Sequence, residues 1–220
     1  YINVSGLIEL RHQIAKYHSL NNKNNYTAEN VIIGPGSKEL IFQTQLILDC
    51  DILLPSPSWV SYEPQAQILN KKIHWIKTDA TSNWHIRPDE LEKMCQKLQQ
   101  VEKLLILNSP NNPSGTSHNN LEALAIIAKK NNIIVLSDEI YAELDFSGYY
   151  KSISHYYPEG TIVSSGLSKW CGAGGWRIGS ITFPQELKHI KNMLRNIASE
   201  TYTSVSAPIQ HAAIKAYSED

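Results

Sequence analysis

The sequence predicts an α/β fold: a doubly wound, mostly parallel sheet with helices on both faces. Three observations carry this expectation. Short apolar and β-branched runs recur along the chain, at VIIG (31–34), DILLP (51–55), IHWI (73–76), KLLIL (103–107), IIVL (133–136), TIVSS (161–165) and IGSITF (178–183). Most are separated by stretches of helical period, and strands that are apolar on both faces belong to a sheet covered on both sides. At 220 residues, 42% of them hydrophobic, the chain is long enough to bury one substantial core, and no Pro/Gly/Ser-rich linker or internal repeat divides it.

The elements follow in order. Leu7, Leu10, Ile14 and Tyr17 recur at three- and four-residue steps, which predicts a helix over 6–18. VIIG closes on Gly-Pro-Gly, and Leu40, Ile41, Thr44 and Leu48 then resume helical spacing, so this segment reads strand, tight turn, helix. Between the later strands, 91–98 and 121–130 show the clearest helical patterns.

Composition narrows the function classes. Twenty basic residues against twenty-one acidic leave a net charge of −1, so nothing global favours nucleic acid or an anionic membrane surface, and a small-molecule partner is expected. Cys50, Cys95 and Cys171 are odd in number, widely spaced and without a CxxC pair, which argues against a disulfide framework and for a cytoplasmic protein. No apolar stretch reaches membrane-spanning length, and YINVSGLIELR lacks the charged and apolar regions of a signal peptide. An opening at Tyr1 without Met suggests a longer natural chain. His74 falls in a strand pattern, His12 and His18 on a helix and His118 in a cap or turn; with no HExxH spacing and no cysteine partner, no metal is expected.

Ligands of open parallel sheets bind beyond the carboxyl ends of the strands. Five such ends carry chemistry: Gly36-Ser37-Lys38 after VIIG, Trp59 after DILLP, NSPNNPSGT after KLLIL, Asp138-Glu139-Ile140-Tyr141 after IIVL, and Ser168-Lys169 after TIVSS. Singly, each has an ordinary explanation. Pro110, Asn111, Asn112, Pro113 and Gly115 are turn formers, Asp138 suits a solvated loop, Trp59 suits a core, and a lysine beside a glycine-rich turn is usually on the surface. Jointly they aim one polar and aromatic set at one rim.

These residues carry a resemblance to the large domain of class I/II aminotransferases, pyridoxal 5'-phosphate (PLP) enzymes of fold type I. The family's motifs stand in its order: Y-x-x-x-x-G-L-x-E-L-R from Tyr1 to Arg11, G-S-K from Gly36 to Lys38, P-S-P-S-W from Pro55 to Trp59, N-x-P-N-N-P-S-G from Asn108 to Gly115, D-E-x-Y from Asp138 to Tyr141, and S-K-x-x-x-x-x-G-W-R-x-G from Ser168 to Gly179. The resemblance implies that residues 1–220 form the PLP-binding large domain, with a small domain, made of an N-terminal arm and a C-terminal part, outside this chain. It implies that Lys169 carries PLP as a Schiff base and serves as the proton-transfer base, that Asp138 faces the pyridine nitrogen, and that Asn112 and Tyr141 bond the 3'-oxygen. Trp59 stacks on the ring by the same resemblance. Gly36, Ser37 and Lys38 at a helix start, with Arg177, make the phosphate site. Tyr1 resembles a tyrosine that reaches the phosphate of a neighbouring subunit, which implies a homodimer with shared sites. The substrates so implied are an L-amino acid and a 2-oxo acid.

The sequence departs from the family in two places. Many relatives place a phosphate-binding Ser three positions before the lysine, where this chain has Gly166, so Ser168 is the expected substitute. The arginine that holds the substrate carboxylate belongs to the small domain, beyond Asp220. Other readings remain. IIVLSDE resembles a Walker B strand, but no GxxxxGK[ST] accompanies it, and in GAGGWRIG Arg177 stands where a dinucleotide fingerprint needs its third Gly. Aminotransferase-like domains also serve as effector sensors in transcriptional regulators, where a helix-turn-helix would be attached; none is visible here. A PLP β-lyase or an aminocyclopropane-carboxylate-synthase-like enzyme would use the same cofactor residues.

Overall fold

The computed structural model describes residues 1–22 and 24–218. All seven expected strands form, as β1 (Val31–Gly34), β2 (Asp51–Ser56), β3 (Ile73–Lys77), β4 (Lys103–Asn108), β5 (Ile134–Asp138), β6 (Thr161–Gly166) and β7 (Gly179–Thr182). They make one sheet in the order β1-β7-β6-β5-β4-β2-β3. From β3 through β2, β4 and β5 to β6 the pairing is parallel, as the apolar runs predict. The last strand differs: β7 runs antiparallel to both β6 and β1. The stretch between β6 and β7 holds a single 3-10 turn, Gly174–Trp176, in place of a crossover helix, so the chain returns in the opposite direction.

Seven helices cover the sheet among the described residues: α1 (Ile8–Asn22), α2 (Ser37–Ile47), α3 (Tyr62–Ile68), α4 (Pro88–Lys97), α5 (Leu121–Lys130), α6 (Lys188–Glu200) and α7 (Ala207–Ala216). The first helix starts two residues later than its periodicity suggests and runs on to Asn22. Helices α3, α6 and α7 were not anticipated. In α6 a readable stripe exists, since Ile190, Leu194 and Ala198 recur every four residues and are buried. Helix α3 has only seven residues, too few to establish a period.

Strand alternation divides the core between the two faces. Ile32, Leu54, Ile106, Leu136 and Ile181 pack under α2, α3 and α6, with Leu40, Ile41, Tyr62 and Leu194. Leu53, Leu105, Leu107 and Val135 point the other way, to Leu91 of α4 and Leu124 of α5. On that same face, Val31 and Ile33 meet Leu10 and Ile14 of α1 and Ala213 of α7. A fully buried side chain of this size contributes about 1.5–3 kcal/mol.

One row of glycines bears on the rim. Gly34, Gly179 and Gly166 are register neighbours across β1, β7 and β6. A Cβ on Gly179 would lie 2.4 Å from the Ser37 nitrogen and 2.6 Å from the Gly36 carbonyl carbon, both backbone atoms. The start of α2 therefore rests directly on the sheet, where no side chain fits. We expect Gly179→Ala to lower the unfolding free energy by about 1–3 kcal/mol. Gly175→Ala, where a Cβ would meet nothing within 4 Å, should stay near wild type in the same thermal unfolding experiment.

Candidate functional site

Because β7 is reversed, its first residues lie at the rim where β1, β2, β4, β5 and β6 end. Arg177, two residues before β7, is brought to the same place as Ser37, Trp59, Asn108, Asp138 and Lys169. A cavity of about 390 Å³ opens among them.

At its floor is Asp138, the last residue of β5 and only 3% exposed. Its Oδ2 accepts a 2.6 Å hydrogen bond from the Tyr62 hydroxyl, and its Oδ1 a longer one, 3.4 Å, from the Ile140 N–H. Asn108, at the end of β4, braces the neighbouring backbone. Its Nδ2 donates to the Asp138 carbonyl at 2.9 Å and its Oδ1 accepts the Asn112 N–H at 2.7 Å. Asn112 is thereby held over the strand ends, and its Nδ2 reaches the Tyr141 hydroxyl at 3.5 Å. The Lys169 side chain is exposed to the cavity, with Nζ 5.3 Å from the Tyr141 ring centroid. Trp59 is half-buried and meets Tyr62 edge-to-face at 5.2 Å, while Lys38 Nζ lies 5.1 Å from a Trp59 ring centroid.

A second group of donors gathers at the start of α2. Gly36 is the N-cap with φ 95°, and no side chain caps the helix. A Cβ on Gly36 would lie 2.5 Å from Nη2 of Arg177, so glycine is needed both for the turn and for the close approach of the guanidinium. Arg177 itself has left-handed φ (52°), and its Nη1 and Nη2 donate to the Gly174 and Pro35 carbonyls at 2.8 and 3.4 Å. An uncapped helix N-terminus beside a guanidinium is suited to an anion.

Burial raises the Asp138 carboxyl pKa from 3.8 to about 6, against the opposing effects of the Tyr62 hydroxyl, the Ile140 N–H and the Lys169 charge. The same burial, with the nearby Asp138 charge, holds the Tyr62 phenol well above 10. Glu139 points away from the cavity into a pocket of hydroxyls, accepting from Ser137 at 2.9 Å and from Ser152, and burial raises it to about 7.

The family model for class I and II aminotransferases matches residues 1–220. The chain belongs to that family. It is 31% identical to the aspartate aminotransferase of Bacillus sp. (strain YM-2) over 226 residues, covering 99% of this chain and 56% of that protein. With the aspartate/prephenate aminotransferase of Thermus thermophilus it shares 32% identity over 221 residues, 98% of this chain and 56% of the relative. The solved structure of Thermus thermophilus aspartate aminotransferase with maleate superposes with a TM-score of 0.91 at 29% identity, over 99% of this chain and 57% of that one. The aromatic aminotransferase of Pyrococcus horikoshii OT3 gives 0.90 at 27% identity, over 100% and 60%. The chain thus spans somewhat more than half the length of these relatives.

Within this aminotransferase fold, the rim expected from the sequence is assembled. Ser37, Lys38, Trp59, Asn112, Asp138, Tyr141, Ser168, Lys169 and Arg177 all line the cavity. Gly36 lies buried against Arg177. Tyr1 does not join them; it is fully exposed outside the cavity. Gly166 is part of the glycine row, where a Cβ would come within 3.0 Å of the Ile178 carbonyl oxygen, while Ser168 lines the cavity. Four lining residues, Tyr62, Asn108, Ile140 and Gly174, have no role assigned by the sequence. Asn108 was read only as the start of a turn motif, although its place at the end of β4 pointed to the rim. Tyr62 lies one helical turn after Trp59, and that spacing was its only local signal.

Asp138 also shapes stability. A carboxyl whose pKa is raised by folding is destabilising once ionised, with no penalty below pH 3.8 and the full penalty above about 6. At neutral pH this amounts to about 3 kcal/mol. In cofactor-free protein, Asp138→Asn should therefore raise Tm at pH 8 by roughly 2–4 °C for each kcal/mol recovered, and that advantage should shrink towards pH 4. Calorimetry across that range checks the sign.

Proposed function

We propose that this chain is the cofactor-binding portion of a PLP-dependent aminotransferase that moves an amino group between an L-amino acid and a 2-oxo acid. The observation that carries the reading is the pairing, in one cavity, of a buried carboxyl at the end of β5 with an exposed lysine after β6. The donor set fits the cofactor. A carboxyl that burial leaves costly to ionise is suited to a cationic ring nitrogen, and the uncapped start of α2 beside Arg177 is suited to a phosphate. When bound, PLP supplies a conjugated electron sink for the bonds at the substrate Cα.

The protein's residues do the rest. Lys169 would hold the cofactor through Nζ, and its amine is placed to move a proton at the substrate Cα. The Asp138 carboxylate would accept a ring N–H of the cofactor and so keep that nitrogen protonated. Asn112 and Tyr141 would donate to the cofactor's 3'-oxygen, and Trp59 would cover one ring face. The Ser37 and Lys38 amides, the Ser168 hydroxyl and the Arg177 guanidinium would hold the phosphate. By the family resemblance, the Tyr1 hydroxyl would serve the phosphate of a second subunit in a homodimer. The three cysteines are unpaired, as in a cytoplasmic protein. No helix among the described residues is long and apolar enough to cross a membrane.

Full-length protein mixed with PLP should trap the cofactor on borohydride reduction, and Lys169→Ala should abolish the trapped adduct. Trapping that survives the substitution would sink the assignment. A panel of amino acids should convert the bound cofactor to its amine form; failure with every donor would favour an effector sensor. Asp138→Asn should retain cofactor yet slow Cα-proton exchange by about 10²-fold or more, read by deuterium uptake into the substrate.

A further inference from the structure

Tyr62 is placed as more than core filler. It is 1% exposed on α3, packed among Leu40, Leu54 and Ile106, where a purely apolar ring would pack as well. Its hydroxyl instead lies 2.6 Å from Oδ2 of Asp138, a residue 76 positions away. Burying a phenol beside a buried carboxylate is costly unless the two groups satisfy each other. The phenol keeps its proton, because burial and the Asp138 charge hold its ionisation well above the ordinary range, so Tyr62 acts only as a donor. Oδ2 is thus committed to α3. Oδ1 meets only the long Ile140 N–H contact among the described residues and remains the oxygen open to another partner. The edge-to-face contact at 5.2 Å and 82° joins the same ring to Trp59.

We propose that Tyr62 is the positioning residue of this site: its hydroxyl fixes Asp138 as a charged acceptor with one oxygen held and one presented to a cationic ring nitrogen, and its ring ties that setting to Trp59. This inference rests on the cofactor reading above. Of the other titratable groups around Asp138, Lys169 from the stretch after β6 has a charge that favours its ionisation, Glu139 and Tyr150 feel the Asp138 charge, and Tyr141 acts on Tyr62. Tyr150, from the loop beyond, is bonded to Glu139 rather than to Asp138. Tyr62 is therefore the one neutral side-chain donor to the Asp138 carboxyl among the described residues. Removing its hydroxyl while keeping its ring separates positioning from packing.

The test is titration of Asp138 by carboxyl carbon NMR in full-length protein stripped of cofactor, with the resonance assigned by its loss in Asp138→Asn. Tyr62→Phe should raise the Asp138 midpoint by about one pH unit, a tenfold change in its protonation equilibrium. A fluorinated tyrosine at position 62, an almost isosteric and stronger donor, should lower it. In the loaded enzyme, Tyr62→Phe should also displace the pH profile of the cofactor's visible absorbance and depress kcat more than it changes KM. An unmoved Asp138 midpoint in a folded Tyr62→Phe protein overturns the proposal, as does a midpoint insensitive to fluorination. Should Tyr62→Phe fail to fold, the fluorinated protein decides alone. Absence of a Lys169 adduct in wild type would instead overturn the cofactor reading, and the cofactor-free titration distinguishes the two failures.

Discussion

Asp138 sits at the carboxyl end of β5 with 3% of its surface exposed, and a carboxyl in that position destabilises the folded chain unless donors meet it. Much of the rim can be understood as the answer to that constraint. Tyr62 comes from α3 to hold one oxygen, and Asn108 comes from the end of β4 to hold the backbone behind it. The lysine after β6 supplies the facing charge. The phenol and the ammonium that favour the ionised carboxyl come from α3 and from the stretch after β6, so its ionisation depends on how β5, β6 and α3 sit together. This couples the ionisation of the buried carboxyl to the packing of the sheet.

A second constraint is spatial. The start of α2 can reach the sheet end only because Gly179 has no side chain, and Arg177 can close over that start only because Gly36 has none. The reversal of β7 puts both features together: a parallel β7 would have carried Arg177 to the far edge of the sheet. The meeting of the uncapped helix start and the guanidinium therefore depends on one antiparallel strand and two glycines.

The strands were legible because each is a local apolar run, and all seven formed where those runs lie. The direction of β7 was not, since nothing in IGSITF distinguishes a parallel from an antiparallel partner. Helix α6 carries a four-residue stripe, whereas α3 is too short for any period to show. Of the site residues the sequence leads one to expect, nine, all flanking strands or standing in dense motifs, line one cavity. Tyr62 was missed because its value comes from a partner 76 residues further on.

By itself the sequence determined the α/β class, the residues that gather at strand ends, and the family to which their ordered motifs belong, because all three are written in local pattern and spacing. Tertiary structure alone decided which atoms meet. The order β5-β4-β2 brings α3 over the end of β5, and the reversed β7 brings Arg177 to Gly36. Hydrogen bonds act over about 3 Å, so contacts between segments far apart in the chain exist only once strand order and direction are set.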